Sequence, residues 1–136
     1  VIEIQEVNEL LDKLDQQIDS NIPITVFSTE LSPGESLVKY LKEHKQKKYS
    51  EIAKALNRDQ RTIWCMYNRI KDEKLEITQT QHTIPISTFS QRKLSILEHV
   101  VSHLKKQNLT TKQISQILNK KPSTIATVEF RARRKQ

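Results

Sequence analysis

One segment of this chain occurs twice. Ile22-Pro23-Ile24-Thr25-Val26-Phe27-Ser28 returns as Ile84-Pro85-Ile86-Ser87-Thr88-Phe89-Ser90, at an offset of 62 residues. Leu31, Ser32 and Glu35 return as Leu94, Ser95 and Glu98, and Ile52, Leu56, Asn57, Thr62 and Ile63 return as Ile114, Leu118, Asn119, Thr124 and Ile125. The offset slips to 63 in the middle and then back to 62, so the second copy gains one residue early and loses one in a later loop. A repeat of this extent implies two units with one fold and one way of docking. It divides the chain into a leader (1–21), a first unit (22–78), a polar linker (79–83) and a second unit (84–136).

The fold class follows from patterning. A single glycine and 5% aromatic residues suit short helices with tight turns better than a β-rich fold. In the first unit Ser32 followed by Glu35 forms a capping box, with Pro33 at the first helical position, where its missing N–H costs nothing. Leu37, Val38 and Leu41 make one apolar stripe. Ser50 is placed to cap a short second helix over 52–56, and Asp59 a third that runs through Ile63, Met66, Tyr67 and Ile70. Asn57 lies between them, where a tight turn needs a residue tolerant of left-handed φ. Each copy should be preceded by a short extended arm, since 22–27 alternates β-branched residues after a proline. Phe27 and Phe89 should anchor these arms to their own helices. The expectation is an all-α chain: a coiled-coil-like N-terminal helix, then two three-helix units.

Both units fit a helix-turn-helix pattern. It wants an apolar pair on the second helix, a small residue at the helix contact, a turn residue four on, and apolar anchors six and nine after the turn. Ile52 and Leu56, Ala53, Asn57, and Ile63 with Met66 supply these in unit one. Ile114 and Leu118, Ser115, Asn119, and Ile125 with Val128 supply them in unit two, where Pro122 opens the third helix. Two fits are far more specific than one, because helical hairpins are common.

Leu56-Asn57-Arg58-Asp59-Gln60-Arg61-Thr62-Ile63 resembles the turn and recognition-helix start of the LuxR/FixJ-like response-regulator helix-turn-helix. The Leu31-Ser32-x-x-Glu35 opening is similar to that family and to region 4 of bacterial sigma factors. The likeness spans about 40 residues of each unit, at superfamily level. The chain departs from those families in its tandem copies, its arms and its lack of a receiver domain. The resemblance implies binding of double-stranded DNA, with the third helices (near 60–71 and 122–133) in the major groove.

On that reading Gln60, Arg61, Trp64, Cys65 and Asn68 face outward in unit one. Arg61 suits guanine, and Gln60 or Asn68 suits adenine, although Arg61 has a phosphate or Asp59 as alternative partners. Trp64 either stacks on sugar or a thymine methyl, or packs over the first arm, the second being the commoner role of tryptophan. Cys65 reads as a small surface or groove residue without redox duty. Lys54, Arg58 and Arg69 suit flanking phosphates. In unit two the outward set is Ser123, Thr124, Thr127 and Arg131, short hydroxyl donors with one base. Lys112, Lys120, Lys121, Arg133 and Arg134 are phosphate candidates there, unless the 131–135 tail is a disordered basic end.

Charge supports a polyanion partner. The net +7 is uneven: the leader carries −5, residues 22–83 carry +3 and residues 84–136 carry +9. The leader places Ile4, Val7, Leu11, Leu14 and Ile18 at the 3–4 spacing of a coiled-coil seam. That narrow seam favours a homodimer through residues 4–18 over an amphipathic helix packed on its own body.

The sole cysteine, Cys65, excludes an internal disulfide. His99 and His103 have metal-compatible spacing but lack the further ligands a site needs. No cofactor is expected, and no nucleophile–base arrangement or phosphate-binding glycine loop suggests an enzyme. No apolar run reaches membrane-spanning length and no signal peptide is apparent, so a cytoplasmic, nucleoid-associated place is expected. The chain begins at Val1 rather than at methionine, as a fragment of a longer protein would. Three roles compete: a sequence-specific transcriptional regulator, an architectural or segregation-type coat of low specificity, and a module for a protein partner such as the transcription machinery.

Overall fold

Helix starts and stops in the computed structural model, which describes residues 4–10, 21–78 and 80–136, follow local chemistry closely. The chain is mainly helical, as the patterning predicts. Unit one contains α1 (Pro33–Glu43), α2 (Tyr49–Leu56) and α3 (Gln60–Ile70), and unit two contains α4 (Ile96–Lys106), α5 (Thr111–Leu118) and α6 (Pro122–Lys135). Ser32 Oγ accepts from the Glu35 amide and Ser95 Oγ from the Glu98 amide, so both copies open their first helix with the same cap. Thr110 and Gln113 form a reciprocal capping box at α5. At α2 the expected cap moves. The helix begins at Tyr49 rather than after Ser50, and Glu51 accepts the orphan Lys48 amide at 3.0 Å. Asp59 occupies the cap position of α3 without making a side-chain bond there.

The turns before α3 and α6 are held alike. Asn57 lies at φ 52°, ψ 49° and Asn119 at φ 53°, ψ 47°, both left-handed, and neither is glycine. Arg58 N donates to Ala53 O at 2.9 Å and Lys120 N to Ser115 O at 3.0 Å, satisfying carbonyls that each helix end leaves open. Asn57→Val or Asn119→Val should therefore cost about 1–2 kcal/mol, since other L-residues strain in this region. Asn57→Gly should be neutral or better. Urea denaturation distinguishes the two; a valine tolerated as well as glycine would mean the turn is not held left-handed.

The arms differ from the sequence expectation in shape and in partner. Only Asn21–Pro23 (β1) and Thr83–Pro85 (β2) are extended, and Ile24–Ser28 and Ile86–Ser90 are 3₁₀ turns. In the first arm the physical reason is burial on all sides. Ile22, Ile24, Val26 and Phe27 are all buried, so no open face enforces a two-residue alternation. β1 and β2 pair antiparallel, Asn21 with Pro85, Ile22 with Ile84 and Pro23 with Thr83. Thr83, the last residue of the sequence-defined linker, thus belongs to β2, and Gln79 of that linker lies outside the described residues. Each arm crosses over. The first arm lies between α1 of its own unit and α5 of the other, and the second reciprocates between α4 and α2. Phe27 and Phe89 meet each other, ring centroids 5.8 Å apart, instead of serving only their own helices. One continuous core results, containing Leu37, Ile52 and Ile63 together with Val100, Ile114 and Ile125. At about 1.5–3 kcal/mol for each fully buried aliphatic or phenyl side chain, the arms supply much of what joins the halves.

Residues 4–10 are helical, and Ile4 stands 80% exposed on this chain. Leu11, Leu14 and Ile18 of the proposed seam lie outside the described residues.

A polar clamp fixes α3 against α1. The buried Lys39 ammonium donates to Glu43 Oε2 at 2.7 Å and to Lys71 O at 2.8 Å, and Tyr67 Oη donates to the same Glu43 oxygen at 3.0 Å. Burial alone would raise the Glu43 carboxyl, but the hydrogen bonds from Lys39 and Tyr67 and the nearby positive charges outweigh it and hold it below the usual range. A depressed carboxyl contributes stability above its unfolded value, about 4.3. That contribution is lost as pH falls through the folded value. Glu43→Gln should flatten the acid-side fall in melting temperature below about pH 4.3 while lowering stability at neutral pH. An unchanged acid profile would show the clamp to be energetically idle.

Candidate nucleic-acid interface

The outward faces of α3 and α6 take shape from what their inward faces bury. Ile63 and Ile70 are buried and Met66 and Tyr67 half-buried, which turns Gln60, Arg61, Thr62 and Trp64 to solvent. Ile125, Val128 and Ala132 are buried in α6, which turns out Ser123, Thr124, Thr127, Arg131 and Arg134. Each outward set begins in the first turn of its helix, where free amides give a partial positive charge and neither helix places an acid.

Individual side chains refine the sequence reading. Trp64 is 52% exposed, so it does not cover the first arm, and the packing role expected for it fails. Arg61 is exposed, and among the described residues it has no ion pair with Asp59 or any other carboxylate. Cys65 is half-buried beside it. Asn68 donates one amide N–H to Trp64 O at 2.9 Å, one turn back on its own helix, which leaves its second N–H and its amide oxygen to face outward. Lys54 and Arg69 are exposed at the flanks. Arg58 turns back instead of reaching out: its Nη1 donates to Leu56 O at 3.0 Å and to Asn57 O at 3.3 Å, capping α2. In unit two Thr127 Oγ1 donates to Ser123 O at 2.9 Å, so its hydroxyl offers lone pairs more readily than its proton. Lys112 and Lys121 are exposed and Lys120 half-buried.

No known protein family, curated protein or solved structure matches the chain. Its own geometry therefore carries the functional argument.

The basic tail is ordered. Residues 131–135 complete α6, Ala132 is buried, and Lys135 Nζ bonds Glu98 Oε1 at 2.7 Å. The alternative of a disordered basic end is thereby overturned. Glu129 faces Arg133 and, at 3.5 Å, Lys105. Both acids of residues 84–136 are thus met by bases, and among the described residues Arg131 and Arg134 have no carboxylate partner. Arg134 instead lies 5.8 Å from the exposed Phe130 ring. Arg133, tied to Glu129, is the least available of the tail bases.

One residue escapes sequence reasoning. Arg92 comes close enough to Arg58 for its charge, after burial, to press the Arg58 guanidinium below its usual pKa. Nothing local in the sequence pairs these positions. They meet because the second arm packs on α2.

His99 and His103 serve the fold. His99 Nε2 lies 2.7 Å from Gln91 O and His103 Nε2 lies 3.1 Å from Thr83 O, so both rings tie α4 to the second arm. Among the described residues no helix is long and apolar enough to cross a membrane.

Proposed function

We propose that this chain binds double-stranded DNA, inserting the N-terminal halves of α3 and α6 into the major groove, and acts as a sequence-specific transcriptional regulator. The observation that carries this reading is the paired outward surface. Two helices, each set by a left-handed asparagine turn, present polar and basic side chains from their first turn, with the exposed Asp59 at the cap of α3 as an adjoining acid. Gln60, Arg61 and Asn68 are base-reading groups, with Trp64 placed to stack on a sugar or touch a thymine methyl. Lys54, Arg69, Lys112, Lys120, Lys121, Arg131 and Arg134 are phosphate contacts. Ser123, Thr124 and Thr127 bond to phosphate or base edges. The exposed apolar side chains of Ile4, Val7 and Leu10 support a dimer formed through the leader helix.

A low-specificity architectural role draws on one observation, that unit two offers hydroxyls and charge rather than amides. Selection from a labelled random-duplex pool at two salt concentrations separates the readings. An enriched motif supports regulation. Tight, salt-sensitive binding without a motif supports the coat. No binding at either salt sinks both.

A further inference from the structure

We infer that the two heads read one duplex as an inverted pair of unlike half-sites at a single fixed spacing, within one polypeptide. The inference rests on the DNA-binding reading and adds the order and polarity of the target.

A tandem repeat leaves two arrangements open. Copies related by translation meet through unlike surfaces and would read a direct repeat. Copies related by a two-fold axis meet through like surfaces and read an inverted one. The strand register decides between them. Ile84 is the repeat equivalent of Ile22, and the two pair with each other. Asn21 pairs with Pro85, the equivalent of Pro23, while Pro23 pairs with Thr83, the equivalent of Asn21. Only a two-fold through the Ile22–Ile84 pair makes those exchanges. Phe27 and Phe89, again equivalent, touch each other near the same axis. The reciprocal packing of the first arm on α5 and the second on α2 extends the symmetry to the helices that carry α6 and α3. The two reading helices therefore run with opposite polarity along any duplex that both engage. The spacing is fixed because the joint is core: Ile22, Ile84 and Phe89 are fully buried. The half-sites are unlike because the outward residues differ. Arg61, Trp64, Cys65 and Asn68 are replaced at equivalent positions by Ser123, Ala126, Thr127 and Phe130.

That divergence supplies the test. All four unit-two positions are exposed, so Ser123→Arg, Ala126→Trp, Thr127→Cys and Phe130→Asn together give unit two the unit-one face, apart from Gln60 whose equivalent is Pro122, without touching the core. Selection on a random duplex pool should yield an asymmetric site for the native chain and a palindrome of one spacing for the four-fold variant. That palindrome should bind about 10²-fold or more tighter than a duplex with one half-site. Enrichment of direct repeats, of a lone half-site, or of half-sites at variable spacing overturns the inference while leaving DNA binding intact. Enrichment of nothing by the native chain sinks the DNA reading itself. If the four-fold variant fails to fold, a cleaving iron chelate tethered to Thr62→Cys or Thr124→Cys in a Cys65→Ser background maps each helix on the native site. Cuts mirrored about one centre are expected, and cuts repeated in the same direction overturn the inference.

Discussion

Phe27→Ala should destabilise the whole protein by about 3–5 kcal/mol, the usual cost of emptying a phenyl site in a packed core. Phe27 is 1% exposed and touches Phe89 across the two-fold, so neither side has a free surface that could collapse into the gap. Typical domain stabilities are about 5–15 kcal/mol, so this is a large share of the total. For a chain of this size the melting temperature should fall by roughly 10–20 °C. The loss should be shared. The first arm lies on α5 as well as α1, so a cavity there loosens unit two as much as unit one. Circular dichroism and amide exchange at Val38 in α1 and Val100 in α4 should report one transition that moves as a unit. If α4–α6 kept the native midpoint while α1–α3 melted early, the shared core would be mechanically unimportant.

The second large effect concerns the proposed recognition of DNA. Arg61→Ala should cost about 1–3 kcal/mol of discrimination at one base position, or roughly 5- to 150-fold, while non-specific binding changes little. Arg131→Gln with Arg134→Gln should behave in the opposite way. Affinity should fall for every sequence, and the salt dependence should flatten by about 0.9 in slope for each phosphate that is no longer neutralised. Charge substitution is the right experiment here, because deleting the tail would also remove the buried Ala132 and the Lys135–Glu98 bond and unfold what it was meant to probe. Binding measured against matched and single-mismatch duplexes at several salt concentrations resolves both predictions. An Arg61→Ala chain weakened equally for all sequences would move Arg61 from base reading to phosphate binding.

Much of this was legible from local chemistry. Asn57 and Asn119 announce their turns because few residues other than glycine accept left-handed φ, and the chain has only one glycine, at Gly34 in the first turn of α1. Ser32–Glu35 and Pro33 announce α1 by the same logic. What failed to read was long-range. The pattern of residues 22–27 assumes one wet face, whereas the arm is enclosed between two units and turns 3₁₀ after Pro23. Arg92 beside Arg58 and Lys135 on Glu98 depend on docking that no periodicity encodes. Trp64 misled for a related reason: a bulky apolar ring usually finds cover, and here the helix face that holds it has none on this chain.

The Ile22–Ile84 pairing also bears on how such a pair of heads can change over time. In an ordinary homodimer every substitution appears twice, so a better fit to one half of a target is imposed on the other half as well. Once the two copies are fused, each head drifts alone and the shared joint need only be preserved. The partnership of the heads also ceases to depend on protein abundance, since no monomer–dimer equilibrium separates them. A cell could hold very few molecules of this chain and still present both heads together.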